Sequence, residues 1–242
     1  MEVTSTEVQN NFGQYLKFSI YEDIIVTKNG KKVAVIRSYD RETKGDVIFE
    51  NAETYNSGGY GMTYEEFIKF SEQSENRYEY IDGKVYLLSS PSFEHQAIIM
   101  EISNIMYQWF KGKKCRPLTA PFDVTLKRKD DEENINVVQP DMVVICDTEN
   151  VTEKGRYMGV PSLVLEVLSE STRSKDMLKK LDLYANSGVN EYWIVNPFSR
   201  EVYLYFFSEG GISEYRVFRE KDVVQSVFFK GLEVSLEQIF EK

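Results

Sequence analysis

The first 45 residues alternate apolar and polar positions in a way that predicts one helix followed by a β-hairpin. A short helix is expected over residues 3–20, capped by Thr4 or Ser5, because four apolar positions fall on one helical face: Val8, Phe12, Tyr15 and Leu16. Two β-branched runs, Ile24–Thr27 and Lys32–Ile36, then flank Asn29–Gly30, which is a strong hairpin signal. A unit of this size has little core, so we expect it to form a homodimer.

Residues 46–61 lose this periodicity and end in Ser57, Gly58 and Gly59. They predict a linker, with a helical stub at its start. The pattern resumes at residue 62, so the sequence predicts a small unit at 1–45, a linker at 46–61 and a larger domain at 62–242.

The larger domain mixes helical and strand patterns. A capping box, Thr63 to Glu66, opens a helix to Ser74, Asp82–Gly83 marks a hairpin, and a long helix is expected over Glu94–Lys111. A further helix is expected over Lys175–Asn186, with Gly188 as its C-cap. Strands are expected at Phe122–Lys127, Val137–Val138, Met142–Cys146, Leu163–Leu168, "NEYWIVNP", "EVYLYFF" and Val223–Phe229, before a short C-terminal helix. This order predicts an α/β (α+β) body.

Charge and cysteine content limit the class of protein and the cellular compartment that the sequence predicts. The net charge of −10 argues against a general nucleic-acid-coating protein, although the first 45 residues carry seven basic and six acidic residues. Cys115 and Cys146 have no metal-ligand spacing and form no disulfide framework, which favours a reducing cytoplasm. No apolar run is long enough to span a membrane, and no secretion signal is evident.

One carboxylate stands inside the apolar stretch "PSLVLEVLSES". Glu166 has valine or leucine on both sides, as in a buried strand. A buried carboxylate is costly unless it is paired or binds a metal. Three interpretations stay open at this point: a structural ion pair, an edge strand with Glu166 facing water, and a metal or catalytic role.

Other polar residues could join Glu166 in a site. Asp141 opens "MVVIC" and Glu79 lies in "RYEYI" before a tight turn. Asp176, Lys180 and Tyr184 are spaced i, i+4, i+8 on the next predicted helix and so form one row. Carboxylates can share Mg²⁺, and a nearby lysine can orient a water or stabilise charge on a phosphate. This is the chemistry of phosphodiester hydrolysis.

The motifs "RYEYIDGKVYLLSSPSFEHQ", "QPDMVVICD" and "PSLVLEVLSESTRSKDMLKKLDLYANSGVNEYWIVNP" together resemble the Uma-two family, a restriction-endonuclease-like branch of the PD-(D/E)XK nuclease superfamily. The resemblance implies a mixed-sheet nuclease core flanked by helices, with Asp141, Glu166 and Glu79 as ligands of Mg²⁺ or Mn²⁺. The usual E-x-K lysine is missing, because position 168 is Leu, and the resemblance points to Lys180 instead. Asp176, Tyr184 and His95 are expected to support the site.

The N-terminal stretch "TSTEVQNNFGQYLKFSIYEDIIVTKNGKKVAVIRS" resembles the DNA-binding and dimerising half of Phd/YefM-type antitoxins. This resemblance implies a dimer that contacts DNA through the first helix and the hairpin. The polar and basic candidates are Asn10, Asn11, Gln14, Lys17, Lys28, Lys31 and Lys32.

Three further features have a structural and a functional interpretation. His95, the only histidine, is either a packed residue of the helix start or a supporting residue near Glu79. The aromatic cluster at residues 203–207 is expected in the core rather than as a base-stacking platform. Basic residues after the long helix stabilise a helix C-terminus and are also the best phosphate-binding candidates of the acidic body: Lys111, Lys113, Lys114 and Arg116.

The sequence therefore predicts a Mg²⁺-dependent (or Mn²⁺-dependent) endonuclease acting on nucleic acid, DNA more than RNA, in the cytoplasm. The alternative is a nuclease-fold protein without activity that acts as a DNA-bound regulator of a toxin-antitoxin-like system. A toxin-neutralising antitoxin ranks lowest, because only about 16 residues of linker follow the small unit.

Overall fold

The structure is a computed structural model, and it describes residues 2–6, 8, 12, 15, 19, 24–28, 31–36, 47–49, 62–88, 90–169, 179–209 and 211–240. The chain divides into two compact units, Met1–Ser89 and Ser90–Lys242. The predicted boundaries at 45 and 61 fall among residues outside the described ranges, so that division stays a prediction.

The first unit begins with a three-stranded sheet in the order β1-β2-β3, built from β1 (Glu2–Thr4), β2 (Ile24–Lys28) and β3 (Lys31–Ile36). β2 and β3 pair antiparallel, as the hairpin prediction requires, although Asn29 and Gly30 lie outside the described residues. Ser5, Thr6, Val8, Phe12 and Tyr15 have helical backbone. The predicted helix start at residue 3 was wrong, because Glu2–Thr4 pairs in parallel with β2.

Three residues of the predicted linker form strand β4 (Val47–Phe49), not a helical stub. β4 pairs in parallel with β6 (Lys84–Leu87), which forms an antiparallel hairpin with β5 (Tyr78–Ile81). The short apolar triplet suits strand pairing, so this part of the linker is regular. Asp82 and Gly83 at the hairpin turn both have positive φ, 50° and 77°, as a type I′ turn requires.

Helix α1 (Tyr64–Glu72) also belongs to the first unit. Its capping box is present in both directions, between Thr63 and Glu66. Phe67 stacks on Tyr80 of β5 with ring centroids 5.0 Å apart, so the helix packs against the hairpin.

The second unit is built on a six-stranded mixed sheet in the order β14-β13-β12-β11-β10-β7. Its strands are β7 (Arg116–Thr119), β10 (Met142–Ile145), β11 (Leu163–Val167), β12 (Glu191–Asn196), β13 (Glu201–Ser208) and β14 (Gly211–Arg219). β11 and β12 pair in parallel, and the other neighbours pair antiparallel. Two antiparallel pairs complete the strands: β8 (Val124–Lys127) with β9 (Ile135–Val138), and β15 (Val223–Gln225) with β16 (Glu233–Ser235).

Helices cover both faces of the six-stranded sheet. Helix α2 (Phe93–Phe110) packs its apolar stripe on one face, where Ile102 and Met106 join Met142, Leu165 and Trp193 in the main core. Helix α3 (Leu181–Ser187) lies on the other face, where Tyr184 meets Tyr192 with ring centroids 4.9 Å apart. Gly188, with φ 92°, ends α3 as predicted. A short helix, α4 (Leu236–Phe240), closes the described chain.

Cys115 and Cys146 form a disulfide, which was not expected from a sequence that predicted no disulfide framework. The reason lies in the sheet register. Arg116 of β7 faces Ile145 of β10, and in an antiparallel pair the next residues outward, Cys115 and Cys146, also face each other. The disulfide was not expected because β7 has a weak strand pattern and was not predicted.

The aromatic residues of β13 contribute to packing. Phe207 is buried and Phe206 packs against the main core, which confirms the predicted core role for these two residues. Tyr205 lies between Tyr192 and Tyr215, and burial raises the pKa of Tyr205 to about 12. No helix among the described residues is long and apolar enough to cross a membrane.

Candidate active site

Glu166 lies in β11, whose five residues are all buried. Its neighbours Leu165 and Val167 belong to the core under α2, and side chains alternate along a strand, so Glu166 points to the opposite face, toward α3. The two helices therefore explain why the strand is apolar on both sides of the carboxylate. The interpretation as an edge strand was wrong, because β11 is central and Glu166 is only 3% exposed.

Two side chains from the α3 region bind the Glu166 carboxylate. Lys180 Nζ lies 2.7 Å from Glu166 Oε1, and Tyr184 OH donates to the same oxygen at 3.0 Å. Lys180 is itself only 3% exposed, so both members of this ion pair are removed from water. Lys179 and Lys180 have π-helical backbone just before α3, a wider turn that often occurs at functional sites.

Asp141 stands directly before β10, opposite Glu166. Met142 faces Leu165 in the antiparallel register, which makes Asp141 and Glu166 the next facing pair. The Asp141 carboxylate also reaches the β11 backbone, because Val167 N–H donates to Asp141 Oδ2 at 2.7 Å. The two carboxylates predicted as metal ligands therefore lie on adjacent strands at the same end of the sheet.

His95, near the start of α2, contacts Asp141. Its Nε2 atom lies 3.2 Å from Asp141 Oδ2, and the His95 backbone N–H donates to the N-cap residue Ser92. This contact with Asp141 was not predicted, and the expected supporting role of His95 near Glu79 stays a prediction. The contacts form two groups: His95 contacts Asp141, and Lys180 and Tyr184 contact Glu166. The two groups are related by the strand register in which Asp141 and Glu166 are facing residues.

A comparison of the chain with known proteins identifies its family. Residues 64–237 match the Uma2 family, described as "Putative restriction endonuclease". The chain belongs to this family. The Uma2 match begins at Tyr64, the first residue of α1, and includes the predicted catalytic and metal-binding residues, but it does not include the predicted DNA-binding residues of the N-terminal unit.

Two related proteins are similar to this Uma2-family chain over about three quarters of their own length. The uncharacterized protein slr1290 of Synechocystis sp. (strain ATCC 27184 / PCC 6803 / Kazusa) is 28% identical over 151 residues, which cover 62% of this chain and 76% of that protein. The uncharacterized protein sll1609 of the same organism is 23% identical over 143 residues, covering 58% and 78%.

A solved structure shares the fold of the Uma2 chain. It is the crystal structure of a "putative nuclease belonging to DUF820" from Anabaena variabilis ATCC 29413, with a TM-score of 0.60 and 23% identity. The similarity covers 74% of this chain and 97% of the other. The predicted mixed nuclease-like fold is thereby confirmed.

The remaining predicted residues lie elsewhere. Glu79 is fully buried in β5, opposite Tyr86 of β6, and belongs to the first unit, so its place beside Asp141 and Glu166 stays a prediction. Asp176 lies outside the described residues, as do four of the N-terminal candidates: Asn10, Asn11, Gln14 and Lys17. Lys28, Lys31 and Lys32 are exposed on the β2–β3 hairpin.

The sequence reasoning overlooked a second buried carboxylate in the same sheet. Glu191 opens β12, is fully buried, and accepts hydrogen bonds from Trp193 Nε1 at 2.5 Å, Ser226 Oγ at 3.0 Å and Phe228 N–H at 2.8 Å. Burial raises its pKa, although these donors lower it. The signal was an acid beside the apolar run "YWIV", the same kind of signal that singled out Glu166.

Proposed function

We propose that this Uma2-family chain is a metal-dependent endonuclease that hydrolyses phosphodiester bonds, with DNA as the favoured substrate. The observation that carries the proposal is the buried contact of Glu166 with Lys180, on a strand that faces Asp141. The description of the Uma2 family and that of the Anabaena variabilis protein both name nucleases, which supports the same activity class.

The side chains fit Mg²⁺ or Mn²⁺ in kind. Within the ranges that the structure describes, no group of three or more His, Cys, Asp or Glu side chains could hold a metal ion. Mg²⁺, however, commonly takes only one or two carboxylates and completes its shell with waters and substrate phosphates. Asp141 and Glu166 would supply those carboxylates, with Glu79 as a predicted third. The ion, when bound, stabilises negative charge that develops on the phosphate oxygens.

The protein side chains have separate roles in this proposal. Tyr184 and Lys180 fix the orientation of the Glu166 carboxylate, while Val167 N–H and His95 fix that of Asp141. The Lys180 ammonium then offers a positive charge and hydrogen-bond donors to the attacking water or to the phosphate. Because Lys180 is buried, its electrostatic interactions are stronger than they would be in water.

We infer that the N-terminal unit dimerises and contributes to DNA binding. Edge strand β3 exposes two apolar β-branched side chains, since Val33 is 56% and Val35 is 55% exposed. An exposed apolar edge strand favours pairing with a second chain. Lys28, Lys31 and Lys32 on the same hairpin would contact phosphates.

A specific observation also favours the alternative, a DNA-bound regulator without activity. The Glu166 carboxylate is already neutralised by Lys180 and hydrogen-bonded by Tyr184, so its burial can be explained by a structural ion pair alone. The two functions differ in whether metal binding requires Glu166.

Thermal melts with and without Mg²⁺ or Mn²⁺ distinguish the two functions. If Glu166 is a ligand, metal at one hundred times its dissociation constant stabilises the wild type by about 2.7 kcal/mol. Glu166→Gln is expected to lose this shift, and Lys180→Met to keep it while losing cleavage of plasmid DNA and of single-stranded RNA. Glu191→Gln, which changes a buried carboxylate outside the site, serves as the control and keeps both. A wild type with neither shift nor cleavage supports the regulator.

A further inference from the structure

A group of cations, here called the basic turn, lies at the C-terminal end of α2. It consists of Lys111, Lys113, Lys114 and Arg116, and all four side chains are exposed. The chain as a whole carries a net charge of −10, so four cations within six residues form a local exception. The nearby Asp147 carboxylate is engaged elsewhere, since it accepts hydrogen bonds from Tyr157 OH at 2.5 Å and Asn150 Nδ2 at 2.6 Å.

The backbone of the basic turn is held in place by several contacts. Gly112 adopts φ 80° and lets the chain turn back, and Lys113 N–H donates to Phe110 O at 2.9 Å. The Lys113 ammonium lies 2.8 Å from the centroid of the Trp109 ring. Cys115, between Lys114 and Arg116, is tied to β10 by the disulfide. The cations are therefore presented from a fixed segment rather than from a loose tail.

A further cation, Lys230, lies on a loop beside the basic turn. Trp109 Nε1 donates to Gly231 O at 2.9 Å, which places the loop that carries Lys230 beside the Trp109 ring. Lys230 lines an open cavity of about 260 Å³ together with Arg216, which forms an ion pair with Glu214, and the other walls are residues 225–227 and 231–233. Glu233 also lines this cavity but accepts a hydrogen bond from Gln225 Nε2 at 3.2 Å.

The length of α2 and the register of β7 with β10 give the distances between the basic turn and the candidate site. His95, which contacts Asp141, and Lys111 are 16 residues apart along the same helix. At 1.5 Å per residue this corresponds to about 24 Å for Lys111. Arg116 lies nearer, because it faces Ile145, which follows Asp141 by four residues along β10, or about 13 Å at about 3.3 Å per residue. Each strand of duplex DNA carries one phosphate per about 3.4 Å of helix axis, so these distances equal about four to seven base pairs.

We propose that the basic turn binds the phosphate backbone of duplex DNA about four to seven base pairs from the phosphodiester bond held at Asp141 and Glu166. The placement rests on the proposed nuclease function, whereas binding of duplex DNA by the turn can be measured without cleavage. The basic turn anchors the duplex against the repulsion of an otherwise acidic protein. It reads no sequence, because phosphate contacts position a duplex without distinguishing bases.

The test uses the full-length chain in EDTA and the fluorescence anisotropy of a labelled 20-base-pair duplex over a range of NaCl concentrations. The triple variant Lys111→Gln, Lys114→Gln, Arg116→Gln removes three cations from the turn. The slope of log affinity against log salt is negative, and each lost phosphate contact reduces its magnitude by about 0.9. The triple variant is therefore expected to have a slope that is smaller in magnitude by about 2 to 3. The matched control Lys69→Gln, Lys127→Gln, Lys221→Gln removes the same charge from exposed positions elsewhere and is expected to change the slope by less than one contact.

The outcomes separate this inference from the proposed function. An unchanged slope in the basic-turn variant, or equal decreases in both triple variants, overturns it even if the wild type nicks DNA. Weakened binding of single-stranded RNA with unchanged binding of duplex DNA overturns it as well. A decrease confined to the basic-turn variant supports the anchor even in a chain that cleaves nothing. Thermal melts of both triple variants check that the substitutions have not changed DNA binding by destabilising the C-terminal end of α2.

Discussion

Removing one member of the Glu166–Lys180 pair is expected to destabilise the second unit strongly. The two side chains are each 3% exposed, and Lys180 Nζ lies 2.7 Å from Glu166 Oε1. Lys180→Met keeps most of the side-chain volume but leaves the Glu166 carboxylate in the sheet without its cation. Tyr184 OH still donates to Glu166 at 3.0 Å, so one hydrogen bond remains.

The magnitude follows from burial of an uncompensated charge. Removing one partner of a buried ion pair costs about 3 to 5 kcal/mol, whereas replacing both partners by neutral groups of similar size is often close to neutral. We therefore expect Lys180→Met and Glu166→Gln each to cost about 3 to 5 kcal/mol. The double variant is expected to cost less than either single variant, which corresponds to a large coupling energy in a double-mutant cycle.

Urea unfolding in EDTA, followed by tryptophan fluorescence, measures these free energies. Both tryptophans, Trp109 and Trp193, belong to the second unit, so the signal reports the unit that contains the pair. EDTA removes any contribution from metal binding. Single variants that each cost less than about 1 kcal/mol would refute the reasoning, because a pair worth so little is typical of charges exposed to water.

Three further predictions concern parts of the chain outside the Glu166–Lys180 pair. Gly159→Ala is expected to cost about 1 to 3 kcal/mol by overpacking, because a Cβ there would lie 2.6 Å from Asp147 Oδ2 and from Tyr157 OH; Gly211→Ala, with no atom within 4 Å, is the control in the same urea assay. The raised pKa of Glu191 means that its proton is held more tightly in the folded state, so this group favours folding at low pH and its contribution falls as pH rises through the folded-state pKa. The stability advantage of the wild type over Glu191→Gln should therefore shrink between pH 4 and pH 7, and a widening advantage would contradict the assignment. Val33→Glu with Val35→Glu should convert a dimer to a monomer in light scattering at micromolar concentration, and a wild type that is already monomeric would exclude pairing through β3.

Several elements could be predicted because local signals and tertiary packing agree. Asp82–Gly83 supplies the positive φ angles of the hairpin turn, and Gly188 supplies the left-handed end of α3. The strand around Glu166 was predicted within one residue, since an apolar run bounded by Pro161 and Ser169 is a strong signal. In these segments each residue favours the conformation that the fold requires.

The elements that were missed depend on pairing rather than on local pattern. Edge strand β7 contains Pro117, and strand β14 is rich in polar residues, so neither shows a clear alternation of apolar positions. Both are strands because β10 and β13 pair with them. The disulfide between Cys115 and Cys146 follows from the same pairing and therefore could not be deduced from spacing.

In the candidate site, the residues were predicted from the sequence but one of their main contacts was not. Asp141, Glu166 and Lys180 were singled out as polar residues in or beside apolar segments, and the family resemblance then gave them roles. The structure shows contacts of Glu166 with Lys180 and Tyr184. The contact of His95 with Asp141 was not expected, because it joins the start of α2 to a residue 46 positions later in the chain, just before β10. Such contacts depend on how helices lie against the sheet, which the local sequence pattern does not specify.

The most direct test of the central claim is the rate at which the chain nicks supercoiled plasmid DNA in Mg²⁺, measured for the wild type, Asp141→Asn and Glu166→Gln beside the control Glu191→Gln. All four proteins are compared at a temperature where tryptophan fluorescence shows them folded. We predict Mg²⁺-dependent nicking by the wild type and by Glu191→Gln, and loss of nicking in Asp141→Asn and Glu166→Gln. Undiminished nicking by Asp141→Asn or Glu166→Gln would contradict the assignment of these two carboxylates to the active site.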